Sequence, residues 1–202
     1  MRGAGYYPRM RLIVAITGSS GAIYGIRLLE ALRAAPEVEV HLILSDGGKL
    51  TAALETGRKS KDIEKLARHV HSDRNLAASI ASGSFETAGM IVAPCSMKTL
   101  SGIANSYADN LVVRAADVVL KERRRLVLMP RETPLHLGHC RLLVQAAEMG
   151  AIIAPPIPAF YGKPKTVDDL VNHSVGRVLD LFGIKSGLVR RWSGGRRDGR
   201  GK

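Results

Sequence analysis

The chain has 202 residues, 46% of them hydrophobic and only 4% aromatic, which suits one α/β domain with an aliphatic core and is short for two. No apolar run approaches the roughly 20 residues that cross a bilayer. The start has no long apolar segment typical of a secretion signal, and two cysteines cannot form a disulfide framework. We therefore expect a cytoplasmic protein with no membrane partner. The net charge of +12 is concentrated in residues 1–10 and 185–202, which together carry +8, so we expect no nucleic-acid partner.

Alternating apolar runs and helix-period segments predict the architecture. We predict a flexible N-terminal extension over 1–10, one domain over 11–188 and a disordered, basic, Gly/Arg-rich tail over 189–202. Short buried strands are predicted at 11–17, 38–44, 89–93, 126–129 and 151–154. Helices are predicted near 21–34, 47–56, 97–106, 108–122, 135–149 and 166–182. This alternation predicts a doubly wound parallel sheet in a three-layer sandwich, whose ligands bind beyond the carboxyl ends of the strands.

The loop after the first strand reads TGSSGAIYG, with glycines at 18, 21 and 25. This spacing matches neither the dinucleotide pattern GxGxxG nor the Walker pattern. Backbone N–H groups at the helix start, together with the hydroxyls of Ser19 and Ser20, can hold a phosphate. A tight strand–helix turn with a serine cap explains the same residues, so both interpretations stay open at this point.

A short-chain dehydrogenase is a rival interpretation. TGSSGAI resembles the glycine-rich turn of those enzymes, Asp46 follows the second strand where a ribose-binding acid would lie, and Tyr161 and Lys165 have YxxxK spacing. That spacing requires one regular helix, and Pro164 between the two residues excludes it. We therefore reject the dehydrogenase.

The later loops supply further polar residues. Cys95 and Ser96 end the third predicted strand, and Cys95 is better explained as a small buried thiol than as a nucleophile, since no histidine is near it in sequence. Arg131 and Glu132 directly follow the fourth strand, where an arginine can clamp a phosphate and a glutamate can transfer a proton. The six histidines show no metal-like spacing, so no metal site is predicted.

Taken together, these loops resemble the UbiX/Pad family of flavin prenyltransferases, in the form associated with UbiD-type phenolic acid decarboxylases. The resemblance covers about residues 11–193 and rests on TGSSGA, GMIVAPCSMKTLSGI, LVVRAADVVLKERRRLVLMPRETPL, PPIPAFYGKPKTVDDLV and VGRVLDLFGI. It implies a flavodoxin-like, Rossmann-type fold and a homo-oligomer, often a dodecamer, with flavin at the subunit interfaces. It also implies that a dimethylallyl group passes from dimethylallyl phosphate to N5 and C6 of reduced FMN, without a metal, and that the prenylated FMN goes to a UbiD-type decarboxylase.

The resemblance also implies roles for individual residues. Ser20 matches the serine near flavin N5, and Glu55 and Glu132 match two carboxylates proposed for acid–base steps. The expected FMN contacts are Gly18, Ser19, Ser20, Ser45, Ser96, Thr99 and Arg114. The expected clamp on the prenyl phosphate is Lys121, Arg131, Tyr161 and Arg177. The alternative is an FMN-binding relative that transfers no prenyl group, such as a peptidyl-cysteine decarboxylase or a subunit that delivers flavin.

Overall fold

The computed structural model of the protein describes residues 10–192. Residues 1–9 and 193–202, which hold most of the predicted extension and of the predicted tail, lie outside the described residues. Six parallel strands form one sheet in the order β3-β2-β1-β4-β5-β6. The strands are β1 Met10–Ile16, β2 Val38–Leu44, β3 His69–His71, β4 Gly89–Cys95, β5 Arg125–Pro130 and β6 Ile152–Ile153. The helices are α1 Ala22–Arg33, α2 Asp46–Thr56, α3 Ser60–Glu64, α4 Met97–Ala104, α5 Leu111–Lys121, α6 Leu137–Glu148 and α7 Val167–Asp180.

The predicted doubly wound parallel sheet is confirmed, and β3 and α3 are additions to it. The five predicted strands alone have the flavodoxin-like order 2-1-3-4-5, and the short edge strand β3 extends this to 3-2-1-4-5-6. β3 was not predicted from the sequence, because its residues are His-Val-His, which do not form an apolar run, and they are mostly exposed. Among residues 10–192 no helix is both long and apolar enough to cross a bilayer.

Two apolar layers enclose the sheet. Along β1, Leu12, Val14 and Ile16 point towards α1 and α7, whereas Ile13 and Ala15 point towards α4 and α5. This alternation follows the period of two in a strand, and all five side chains are essentially inaccessible to solvent. The two layers hold β1 at the centre, so that its carboxyl end opens at the point where the strand order reverses.

The end of the described chain packs against the domain. Arg190 donates to the carbonyl of Gly162 (3.0 Å), and Arg191 pairs with Asp180 (2.8 Å). The ring of Trp192 stands edge-on to that of Tyr161, with centroids 6.0 Å apart. These contacts join residues 190–192 to the domain, while the boundary at residue 188 stays a prediction.

Candidate active site

A buried threonine holds the loop between β1 and α1. Thr17, which is 2% exposed, donates its hydroxyl to the carbonyl of Pro94 (2.7 Å) and accepts the N–H of Ser96 (2.8 Å). These bonds join the carboxyl ends of β1 and β4, between which a doubly wound sheet binds its ligands. Thr17 was not among the predicted site residues, although a polar residue that ends an apolar strand is a signal that the sequence contains.

Glu55, in the last turn of α2, caps the start of α1. Its Oε2 accepts the backbone N–H groups of Gly21 (2.9 Å) and Ala22 (3.1 Å). Gly21 has a φ of +99°, a left-handed conformation that glycine adopts without strain. The fold therefore brings Glu55 to the loop that carries Ser20, 35 positions earlier in the chain.

Arg131 reaches the same loop from the end of β5, where its Nε donates to the carbonyl of Ser20 (3.3 Å). Burial raises the pKa of Glu55, but hydrogen bonds from the Ser20 side chain, Gly21 and Ala22, together with the charge of Arg131, lower that pKa below the usual 4.5. Glu55 is thus ionised at neutral pH, the form in which a carboxylate can accept a proton. Three predicted site residues, Ser20, Glu55 and Arg131, meet here.

Two of the predicted cofactor serines cap helices that begin at this edge. The Ser45 hydroxyl accepts the N–H of Gly48 at the start of α2 (3.0 Å). The Ser96 hydroxyl accepts the N–H of Thr99 at the start of α4 (3.3 Å) and pairs with the Thr99 hydroxyl (3.0 Å). Each cap satisfies one of the four unpaired N–H groups of its helix. The positive ends of α1, α2 and α4 therefore all lie at this edge.

The loop after β1 also forms a close backbone approach. A Cβ atom on Gly18 would lie 3.1 Å from the Cα of Gly47, tighter than ordinary van der Waals contact. Beside it, the buried hydroxyl of Ser19 has no hydrogen-bond partner among the described residues. A buried hydroxyl without a partner is costly in a folded protein, and it indicates a polar ligand at this position.

Arg114 and Glu132 lie at the same edge but bond within their own neighbourhood. Arg114, in the first turn of α5, donates to the carbonyl of Ala81 (3.2 Å) and pairs with Asp117 (2.9 Å). Glu132 is exposed, and its Oε1 accepts the N–H of Thr133 (3.0 Å). Neither side chain bonds to Ser20, Glu55 or Arg131.

The remaining members of the predicted phosphate clamp lie elsewhere in the chain. Lys121 ends α5 and pairs with Glu122 (2.5 Å), just before β5 begins, whereas Arg131 follows the end of β5. The six residues of β5 separate these two edges by about 20 Å. Tyr161 bonds His173 of α7 (2.7 Å), one turn before Arg177. Within one copy of the chain, the four clamp residues therefore lie at three separate places: Lys121 at one, Arg131 at another, and Tyr161 with Arg177 at the third.

Two interpretations from the sequence are confirmed. Cys95 is fully buried, and burial raises the pKa of its thiol to about 12, so it is an inert core residue. Tyr161 and Lys165 do not share a helix, since residues 161–165 form a turn and irregular chain. Although no metal site was predicted, the fold does bring Glu39, His41 and His69 together.

Comparisons with known proteins agree with this geometry. The family model described as Flavoprotein matches residues 4–179. The flavin prenyltransferase UbiX of Escherichia coli K12 is 57% identical over 186 residues, covering 91% of this chain and 98% of the relative. The flavin prenyltransferase UbiX of Thauera aromatica is 58% identical over 185 residues, covering 92% and 95%.

Solved structures share the fold closely. A dodecameric FMN-dependent UbiX-like decarboxylase from Escherichia coli O157:H7 has a TM-score of 0.90 at 54% identity, covering 92% of this chain and all of that one. AnUbiX (PadA1), in complex with FMN and dimethylallyl pyrophosphate, has a TM-score of 0.90 at 48% identity, covering 92% and 98%. The FMN-dependent cysteine decarboxylase TvaF has a TM-score of 0.58 at 19% identity, covering 73% and 90%, and shares the fold alone.

Proposed function

We propose that this chain, which belongs to the UbiX family of flavin prenyltransferases, joins a dimethylallyl group from dimethylallyl phosphate to N5 and C6 of reduced FMN. One observation carries the proposal beyond family membership. Ser20, Glu55 and Arg131, from three separate segments, meet at the start of α1. A protein that only stores flavin has no evident need for an ionised carboxylate beside a guanidinium at this position.

The residues at this edge fit FMN. Ser19, beside the close contact of Gly18 with Gly47, offers a buried hydroxyl without a partner among the described residues. Because Glu55 occupies the first N–H groups of α1, the FMN phosphate has to be held by other donors. The helix starts capped by Ser45 and Ser96 supply such donors and carry the favourable dipole.

Reduced FMN, when bound, supplies the electron-rich nucleophile for the allylic carbon. Arg131 stabilises the charge on the phosphate that leaves this carbon. Ser20, held between Glu55 and Arg131, orients the reacting flavin edge, and such positioning contributes much of the rate. Glu55, a carboxylate that is ionised at neutral pH, accepts the proton that leaves C6, and Glu132 is the second carboxylate at this edge.

We further propose a homo-dodecamer in which neighbouring copies complete the phosphate clamp. The structural relative from Escherichia coli O157:H7 is a dodecamer. The separation of Lys121 from Arg131 by the length of β5 supports a clamp built from more than one copy. Large apolar side chains exposed on α2, on α6 and in the loop after β6 suit subunit contacts; they are Leu50, Leu54, Leu137, Val144, Ile157 and Phe160.

The product defines the partner. Prenylated FMN is a cofactor for another enzyme, so we propose a UbiD-type decarboxylase as its recipient in the cytoplasm, as the family resemblance implies. Tyr161, in the loop before α7, and Arg177, on α7, both have exposed side chains and complete the binding site for the prenyl donor.

Phosphate release tests the proposal. The purified homo-oligomer, incubated without oxygen with reduced FMN and dimethylallyl phosphate, should release inorganic phosphate only when both compounds are present. Arg131→Ala should abolish the release, whereas Arg33→Ala, an equal loss of charge on an exposed turn of α1, should leave it unchanged. Bound FMN without phosphate release in the unmodified protein would contradict prenyl transfer and favour the relative that only binds flavin.

A further inference from the structure

A cluster of histidines at the β2–β3 edge has no part in the proposed function. Glu39 and His41 are two residues apart on β2 and therefore point to the same face of the sheet. The parallel register pairs His41 with His69 at the start of β3. His41 precedes Ser45 by four residues, about 13 Å along the strand, so the cluster lies towards the amino ends of the strands and away from the candidate active site.

Two of the three distances between the donor atoms match those of a tetrahedral metal site. His41 Nε2 lies 3.3 Å from Glu39 Oε1, and His69 Nε2 lies 3.5 Å from the same oxygen. Ligands about 2.0–2.1 Å from a tetrahedral zinc ion are about 3.3–3.4 Å from one another. All three ligand atoms lie within 4.8 Å of one another. The existing side-chain positions therefore approach the required geometry before any ion is added.

Neighbouring residues orient His41 as a ligand. Its Nδ1 lies 3.0 Å from Nε2 of His71, a partner that fixes the ring and directs Nε2 towards Glu39. Such a hydrogen bond on the second ring nitrogen accompanies nearly all metal-bound histidines. The ring of His69 stacks on that of His41 at 4.5 Å, and Phe85 closes the other side edge-on at 5.0 Å.

We infer that Glu39, His41 and His69 bind one zinc ion per chain, with water as the fourth ligand. Two imidazoles and one carboxylate form a donor set that zinc commonly uses. The ion would join β3, a three-residue edge strand, to β2. The inference is independent of the proposed function, because none of the three ligands belongs to the candidate active site.

Two guanidinium groups face the carboxylate of Glu39, and we expect them to weaken the binding of a cation. Arg11 approaches Oε1 of Glu39 and Arg68 approaches Oε2, each at 3.5 Å. Both carry positive charge and oppose a divalent cation at the same carboxylate. Arg68 has a largely exposed side chain, so Arg68→Ala should tighten zinc binding without disturbing the core.

Zinc titration of the tag-free, full-length homo-oligomer tests the site. After removal of metals with a chelator, the protein is titrated with zinc in competition with a chromophoric chelator. We expect about one zinc per chain, and at least about a tenfold loss of affinity in Glu39→Gln and in His69→Ala. His69 is chosen in place of the buried His41, whose replacement also perturbs the core.

A matched histidine outside the cluster is the control. The ring of His136 lies 3.6 Å from that of His139, which precedes the exposed Cys140 in the chain, so this pair is also made of residue types that bind metals. His136→Asn should bind zinc as the unmodified protein does, and X-ray absorption should show nitrogen and oxygen ligands without sulfur. No zinc binding, unchanged affinity in His69→Ala, or loss in His136→Asn would each overturn the inference.

Discussion

Replacing Thr17 with valine isolates the bond that joins the two central strands at the candidate site. Valine preserves the shape and volume of threonine, so the change removes the hydroxyl and little else. In the folded protein that hydroxyl donates to the carbonyl of Pro94 and accepts the N–H of Ser96. The carbonyl of Pro94 keeps a second donor, the backbone N–H of Thr17 (3.3 Å), whereas the N–H of Ser96 loses the partner described here.

The expected cost follows from this asymmetry. Leaving the N–H of Ser96 without a partner costs about 1–3 kcal/mol, and losing the bond to Pro94 adds about 0.5–1.5 kcal/mol. Thr17→Val should therefore lower the free energy of unfolding by about 1.5–4.5 kcal/mol. Thr17→Ser keeps the hydroxyl and removes one methyl group, which costs about 1 kcal/mol. Because Ser96 caps α4, FMN affinity should fall with the valine variant and not with the serine variant.

Urea unfolding of the three proteins measures the difference. All are compared at one protein concentration, because the stability of an oligomer depends on it. A fluorescence titration with FMN gives the second readout. If Thr17→Val were as stable as Thr17→Ser, the bond between the strands would not be the stabilising feature described here.

Three further outcomes follow from the site and the chain end. Glu55→Gln should be less stable than the unmodified protein at neutral pH. Because folding lowers the pKa of Glu55, the stability that its carboxylate adds is present above about pH 4.5 and is lost as the pH falls through the lowered pKa. The melting temperatures of the two proteins should therefore converge in acid. A pH-independent gap between them would refute the role of charge. Arg131→Ala should retain FMN but lose the prenyl donor in binding titrations, and equal loss of both ligands would show that the two phosphate sites are misassigned. Ending the chain after Trp192 should leave FMN binding and turnover intact. Ending it at residue 188 should impair binding of the prenyl donor, because it removes the contact of Trp192 with Tyr161. Identical behaviour of the two truncated proteins would refute the importance of that contact.

Much of the fold could be predicted from the sequence because buried parallel strands read as short aliphatic runs. The five predicted strands correspond to β1, β2, β4, β5 and β6, with ends that shift by a few residues. Caps account for some of these shifts: α5 begins at Leu111 because the Asn110 side chain accepts the N–H of Val113, and α6 begins at Leu137 because His136 caps it. β3 had no such signal, because pairing to β2 rather than hydrophobicity defines it.

The candidate site was less predictable. Sequence position alone placed Ser20 after β1 and Arg131 after β5, and the rule for doubly wound sheets brought both to the edge where the strands end. Glu55 could be connected to them only through the family resemblance, because it lies at the end of α2 and reaches back to α1 through tertiary packing. The histidine cluster was invisible, since strand pairing unites residues 28 positions apart.

The mass of the flavin recovered after anaerobic reaction tests the central claim most directly. The purified protein is incubated with reduced FMN and dimethylallyl phosphate, and the released flavin is analysed by mass spectrometry. The account predicts a product heavier than FMN by one prenyl unit, absent with Arg131→Ala. Recovery of unmodified FMN alone from protein that had bound it would contradict the assignment as a flavin prenyltransferase.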